Sequence, residues 1–307
     1  MALPAAVAAL VFACTGDDPD LTANPVDGGT DTSSSADVDT GGDSGGADAA
    51  KSCSREDPFG PANILGGVND GLGLYHPRLT PDELEIFYQH GTNAIYYATR
   101  ADRKLSFSAG SPVPLASDAS ALYDPAISGN TLVLYVTIDE QIARLTRPNR
   151  ASAFGAPVFV GLGLDLDAGQ RDQDPHILAD ESAIYFARRD IYDGGVSQIW
   201  RADGNGDGGY GTPVRVKLGD GAQANPWVSE DELEIWIQHG ATSTVRRAVR
   251  ANKGADFPEP TSVDDINTQS SLNGNPRPGW ISPDNCRIYF AAGSTLSQIW
   301  FAERTPR

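Results

Sequence analysis

The chain has 307 residues, 41 acidic against 23 basic, a formal net charge of −18. Phosphate binding needs clustered Lys and Arg, so this balance excludes nucleic acid as the expected partner. No apolar run reaches the length of a membrane span, and the length suits one large domain with appendages.

The first fourteen residues, MALPAAVAALVFAC, are apolar, uncharged and end in a cysteine. They resemble the end of a bacterial lipoprotein signal peptide, although the basic segment that precedes the apolar core in such peptides is missing. That resemblance implies cleavage before Cys14 and lipidation of its thiol and new amino group. Residues 15–57 follow, with eleven acids against Lys51 and Arg55 and almost no large apolar side chain. Such a segment cannot bury enough surface to offset its ordering entropy. It is expected to be a disordered acidic spacer with a reach of roughly 35 Å.

From residue 58 onward the chain repeats itself. DELEIFYQHG begins at Asp82 and DELEIWIQHG at Asp231, eight of ten letters alike and 149 residues apart. A shared column runs through Thr80, Ser128, Leu178, Ser229 and Ser282, at intervals of 48, 50, 51 and 53. After it, apolar residues alternate with period two, as in Leu84, Ile86 and Tyr88, which predicts a strand. The seventh position after the column is aromatic in every copy (Phe87, Tyr135, Tyr185, Trp236, Tyr289), so this strand is expected to be covered on both faces. A second strand follows in each unit (AIYYATR, QIARLTR, SQIWRAD, TVRRAVR, SQIWFAER). Then comes an aromatic-to-proline element: Phe107 to Pro112, Phe154 to Pro157, Tyr210 to Pro213 and Phe257 to Pro260.

Five units of about 50 residues, each of about four short strands, predict an all-β, five-bladed β-propeller of four-stranded antiparallel blades. The aromatic-to-proline element also occurs at Phe59–Pro61 but is missing after the fifth unit. The strand near Phe59–Leu65 is therefore expected to pair into the last blade and close the ring, removing exposed edges.

The pattern P-x-h-S-x-D-x-x-x-I-Y-F followed by Q-I-W-x-A resembles the WD-like repeats of the TolB β-propeller family. WISPDNCRIYFAAG with SQIWFAER and HILADESAIYFARR with SQIWRAD carry the resemblance best. It covers residues 58–307, whereas TolB itself has six blades and an extra N-terminal domain. It implies a periplasmic location, outer-membrane association and protein–protein contacts.

No HExxH or P-loop motif is present. The residues entering each inner strand are His76, Asp124, Asp174 and Asn225, with Pro278 in the fifth place. In a propeller these face the axis, on the side where the blade-linking loops collect. That side is expected to be the binding face, with Asp167 and Asp172 from the long loop GLDLDAGQRDQD and His90 and His239 from the two QHG turns. The leading expectation is a noncatalytic, lipid-anchored, monomeric envelope propeller that binds a protein or glycan partner. The alternative is a glycan-active hydrolase using Asp124 and Asp174 as axial carboxylates. A lectin with one sugar site per blade fits less well, because the blades share few polar loop residues.

With Cys14 lipidated, Cys53 and Cys286 form an even pair. An oxidising compartment allows a disulfide between them, and a core thiol at Cys286 is the competing reading. No cofactor is expected to be required. Asp203, Asn205 and Asp207, followed by Gly208, match the first half of a D-x-[DN]-x-[DN]-G calcium loop. Val214 stands where the bidentate glutamate belongs, so any calcium binding there is expected to be weak, and a plain hairpin turn is the competing reading.

Overall fold

A computed structural model describes residues 52–116, 121–192, 194–240 and 243–304. Cys14, the signal-like segment and the spacer through Lys51 lie outside the described residues. Strand β1 (Asn63–Ile64) comes first. The first blade contains β2 (Leu74–Leu79), β3 (Glu85–His90), β4 (Ala94–Thr99) and β5 (Ser111–Pro112). The second contains β6 (Tyr123–Ile127), β7 (Val133–Ile138), β8 (Gln141–Thr146) and β9 (Val158–Phe159). The third contains β10 (Gln170–Ile177), β11 (Ala183–Asp190), β12 (Gln198–Asp203) and β13 (Val214–Arg215). The fourth contains β14 (Gln223–Val228), β15 (Glu234–His239), β16 (Thr244–Val249) and β17 (Thr261–Ser262). A short helix, α1 (Asp264–Asn267), precedes the fifth blade: β18 (Arg277–Ile281), β19 (Arg287–Ala292) and β20 (Gln298–Glu303). The five inner strands β2, β6, β10, β14 and β18 contact one another in a ring. The chain is a five-bladed β-propeller.

The repeated column has a local cause. The hydroxyls of Thr80, Ser128, Ser229 and Ser282 accept the N–H of Glu85, Val133, Glu234 and Arg287 across each turn between first and second strands. Two residues on, Asp82, Asn130, Asp180, Asp231 and Asp284 each accept a backbone N–H two residues further along, an Asx turn repeated in all five blades. The next residue takes a positive φ of 54–65° in every blade (Glu83, Thr131, Glu181, Glu232, Asn285).

The aromatic column is buried throughout, with Phe87, Tyr135, Tyr185, Trp236 and Tyr289 at 0–1% exposure. Where it is tyrosine, its hydroxyl donates to a glutamate in the turn of the next blade. Tyr135 reaches Glu181 at 2.7 Å, Tyr185 reaches Glu232 at 2.6 Å, and Tyr289 reaches Glu83 at 2.7 Å. The turns that follow Phe87 and Trp236 carry Thr131 and Asn285 instead. A buried carboxylate is costly without a donor, so the glutamate appears only where the tyrosine does.

Closure uses β1. Asn63 pairs with Phe301 and Ile64 with Trp300, and Gly60 and Leu65 extend the ladder to Glu303 and Ile299. The chemistry of the seam repeats that of the other blades. Arg304 lies 4.1 Å over Phe59, as Arg100 lies 4.4 Å over Phe107 and Arg250 lies 4.4 Å over Phe257. Cys53 and Cys286 form a disulfide, S–S 2.06 Å, across the same seam. The spacer was expected to run to residue 57, but residues 52–57 pack on the propeller. Cys53 is buried, Arg55 meets Asp231 at 2.7 Å and Glu56 meets Arg247 at 3.1 Å. The disulfide overrides the polar composition that reads as disorder.

Phe59→Ala is therefore expected to cost about 3 kcal/mol or more, and Ile64→Ala, half exposed in the same segment, less than about 0.5 kcal/mol. Breaking the disulfide by Cys286→Ser is expected to cost about 2–5 kcal/mol. Urea unfolding measures all three, and equal losses at Phe59 and Ile64 would show that the seam does not depend on the buried ring.

Candidate functional site at the loop-face axis

Each of the first four inner strands contains an X-Pro pair: His76-Pro77, Asp124-Pro125, Asp174-Pro175 and Asn225-Pro226. Proline has no N–H for the ladder, and the pairing register shifts at each pair, a β-bulge. The residue before proline adopts φ of 50–54° in all four. Asn, Asp and His tolerate that left-handed region better than most residues, so the bulge itself favours the residue types found there. In β18 the order is Pro278-Gly279, again at a register shift. A Cβ on Gly279 would stand 2.5 Å from Pro77 Cγ, so only glycine allows the fifth blade to approach the first.

These bulges bring three predicted residues together. Nδ1 of His76 lies 3.3 Å from Asp124 Oδ1 and 3.4 Å from Asp174 Oδ1. The other oxygens are held by the backbone: Asp124 Oδ2 accepts the N–H of Asp174, and Asp174 Oδ2 accepts that of Asn225. Asn225 donates from its side chain to Gln238, which donates to Ser243. The four residues floor an open bowl of about 780 Å³, walled by Gln89, Gln238, Tyr123, Thr137, Glu140 and Arg277.

Burial holds the His76 imidazole down at about 4, against the pull of Asp124. Burial, and then the neighbouring Asp124 carboxylate, push Asp174 up to about 7. The two shifts are one statement. A neutral imidazole has one N–H to offer at Nδ1 and faces two carboxylates, so Asp174 keeps a proton into the neutral range. His76 and the two carboxylates also offer ligand atoms within 4.8 Å of one another, the donor set of a divalent-cation site. Chemically, the bowl can accept hydrogen bonds from hydroxyl groups, hold a cation, or present two neighbouring carboxyl groups.

The other predicted residues lie elsewhere. His90 bonds Asp70 at 2.7 Å and stacks on Tyr96, and His239 bonds the Asp220 carbonyl at 2.9 Å, so both pin blade-linking loops. Asp172, expected on the binding face, is 1% exposed, and Arg188 takes both its oxygens at 2.6 and 2.7 Å. Asp167 is exposed in its loop. In the calcium-like loop, Asp203 pairs with Arg201 at 2.7 Å and is 77% exposed. Asp207 accepts the N–H of Gly209 and closes the hairpin turn with Asn205. Gln89 and Gln238, the Q of the two QHG turns, reach the bowl in place of the histidines that follow them.

No protein-family model matches the chain, and no curated protein matches it. Solved structures similar to it include a thermostable family-43 glycoside hydrolase (13% identity over 78% of this chain and 91% of that one, TM-score 0.58). The catalytic domain of a GH62 α-L-arabinofuranosidase from Coprinopsis cinerea is similar at 12% identity (81% and 97%, TM-score 0.54). TolB from Acinetobacter baumannii is similar at 18% identity (76% and 55%, TM-score 0.45), this chain spanning about half of its length. These likenesses concern the fold. The class that fold and site define together is a five-bladed propeller with a polar bowl at its axis.

The pKa directions set a pH test. Asp174, raised from about 3.8, binds a proton in the folded state that the unfolded chain has lost, so its contribution falls as pH rises from about 4 to 7. His76 and His176, lowered from 6.5 to about 4 and about 3, act oppositely, and their contributions fall as pH drops below 6.5. Between pH 4.5 and 6.5 one histidine offsets Asp174. The wild type is expected to lose stability on acidification with a slope of about one proton, and Asp174→Asn with about two. Denaturant titrations across that range measure the slopes, and parallel curves would show that Asp174 ionises like an ordinary carboxylate.

Proposed function

We propose that this chain is a noncatalytic cell-envelope binding module that takes a hydroxyl-rich glycan, or a glycosylated or polar protein surface, in the bowl at its loop-face axis. The observation that carries the reading is the double engagement of Asp124 and Asp174. Each gives one oxygen to the backbone of the next blade and turns the other toward His76, which holds both carboxyl groups fixed in an open, polar bowl. Fixed carboxyl groups suit the hydroxyls of a glycan and spare a ligand the cost of ordering its partners. The repeat resemblance to TolB, the apolar start ending in Cys14 and the acidic spacer support an outer-membrane lipoprotein, tethered by lipid and monomeric. The Cys53–Cys286 disulfide supports an oxidising compartment.

One observation favours a second reading, a glycan-active hydrolase. Burial pushes Asp174 up to about 7, and a carboxyl that keeps its proton toward neutral pH beside a second carboxyl is what acid-assisted cleavage of a glycosidic bond uses.

The full chain on an array of bacterial and plant glycans separates the readings. The binding module retains its ligand intact and loses at least tenfold in affinity in Asp124→Ala. Release of reducing ends that Asp124→Asn and Asp174→Asn both abolish would establish the hydrolase instead. Growth with a fatty-acid probe is expected to label the wild type and not Cys14→Ser, and an unlabelled wild type would remove the lipid anchor.

A further inference from the structure

The axial channel has a second mouth. One layer beyond His76, Asp124, Asp174 and Asn225, the bulges place Arg78, Ala126, His176, Trp227 and Trp280 around the axis. Four of these five side chains are large and one is a methyl group. The missing bulk at Ala126 belongs to a cavity of about 420 Å³ that opens on the face opposite the bowl, with Trp227 and Trp280 on its walls and Arg55 at its rim.

Arg78 is 3% exposed. Its Nη2 donates to the Pro226 carbonyl at 3.1 Å, while its Nε and Nη1 have no acceptor. Leaving donors of a buried cation unpaired is costly, and the residues nearest by do not remove the cost. The His176 ring is committed to the Val228 carbonyl at 2.8 Å. Asp174 and Asp124 balance the guanidinium through space, without a hydrogen bond to it. A guanidinium keeps its proton in proteins, so Arg78 is a buried cation.

We propose that this cavity is a binding site for a small organic monocarboxylate with a flat apolar body, its carboxylate on Arg78 and its body between Trp227 and Trp280. The volume is that of a small-molecule pocket, apolar with one placed charge. The charge count selects a single negative charge. Arg55, the other cation at the mouth, is already paired with Asp231 at 2.7 Å and Glu234 at 3.3 Å. Glu230 and Asp231 stand at the same rim, so a phosphate ester would meet repulsion with no second free cation among the described residues that line the cavity. The site is distinct from the bowl, which opens on the other face.

The test uses the full chain, with phenylacetate as probe and phenylacetamide and phenyl phosphate as neutral and dianionic comparators. Calorimetry and tryptophan fluorescence read binding. Phenylacetate is expected to saturate on the order of 1 mM, with both comparators at least tenfold weaker. Arg78→Met is expected to lose at least tenfold. Ala126→Leu, which keeps the arginine and fills the space, is expected to lose at least as much, and it decides the matter should Arg78→Met fail to fold by circular dichroism. Equal binding of phenylacetate and phenylacetamide, wild-type binding by Ala126→Leu, or no saturable signal from phenylacetate would each overturn the site.

Discussion

A proline in the middle of a strand cannot supply its ladder hydrogen bond, and this molecule places one in four of its five inner strands at the same height. Everything at the axis depends on that constraint. The ladder slips at each X-Pro pair, the preceding residue turns left-handed, and residues that tolerate the turn (His76, Asp124, Asp174, Asn225) point inward as a group. The freed backbone N–H groups of Asp174 and Asn225 are recovered by the carboxylates of the preceding blades. The polar ring is thus part of the structural solution before it is a binding site. That double use is the reason for favouring rigid recognition over catalysis.

The blades that carry this ring are fastened at a second radius. The pairs Tyr135–Glu181, Tyr185–Glu232 and Tyr289–Glu83 join blade two to three, three to four and five to one. Blades one and four, whose aromatic residues lack a hydroxyl, meet neighbours without the glutamate. Around blade four the compensation is local, since Trp236 donates to Glu234, which also receives Arg247. The last seam adds β1, Phe59 and the Cys53–Cys286 bond. Such fastening limits how far the axial side chains can move relative to one another, the condition a preorganised site needs.

The architecture was legible because its signals are local. Period-two apolar residues, the aromatic column and the hydroxyl column each arise inside one blade, and counting aromatic-to-proline elements was enough to infer the offset closure. The site was half legible. His76, Asp124, Asp174 and Asn225 stood out because they occupy one column, and columns survive into the fold. Asp172 did not read correctly, because its partner Arg188 lies on the next strand and no spacing rule pairs them. His90 and His239 drew notice as histidines, yet the neighbouring Gln89 and Gln238 line the bowl, since a period of two sends adjacent residues to opposite faces. Arg78 was invisible in sequence. Its column holds Arg, Ala, His, Trp and Trp, a pattern with meaning only when the five residues are seen around one axis.

The four histidines are natural reporters on four environments: His76 in the bowl, His90 and His239 on the loop anchors, and His176 in the opposite cavity. The most direct measurement is nitrogen-15 NMR of histidine-labelled full chain, titrated with neutral oligosaccharides. A ligand seated in the bowl is predicted to shift the His76 ring resonances alone, with His76 still neutral at pH 5. Movement of His90, His239 or His176 with His76 unchanged would contradict the axial bowl as the site of recognition.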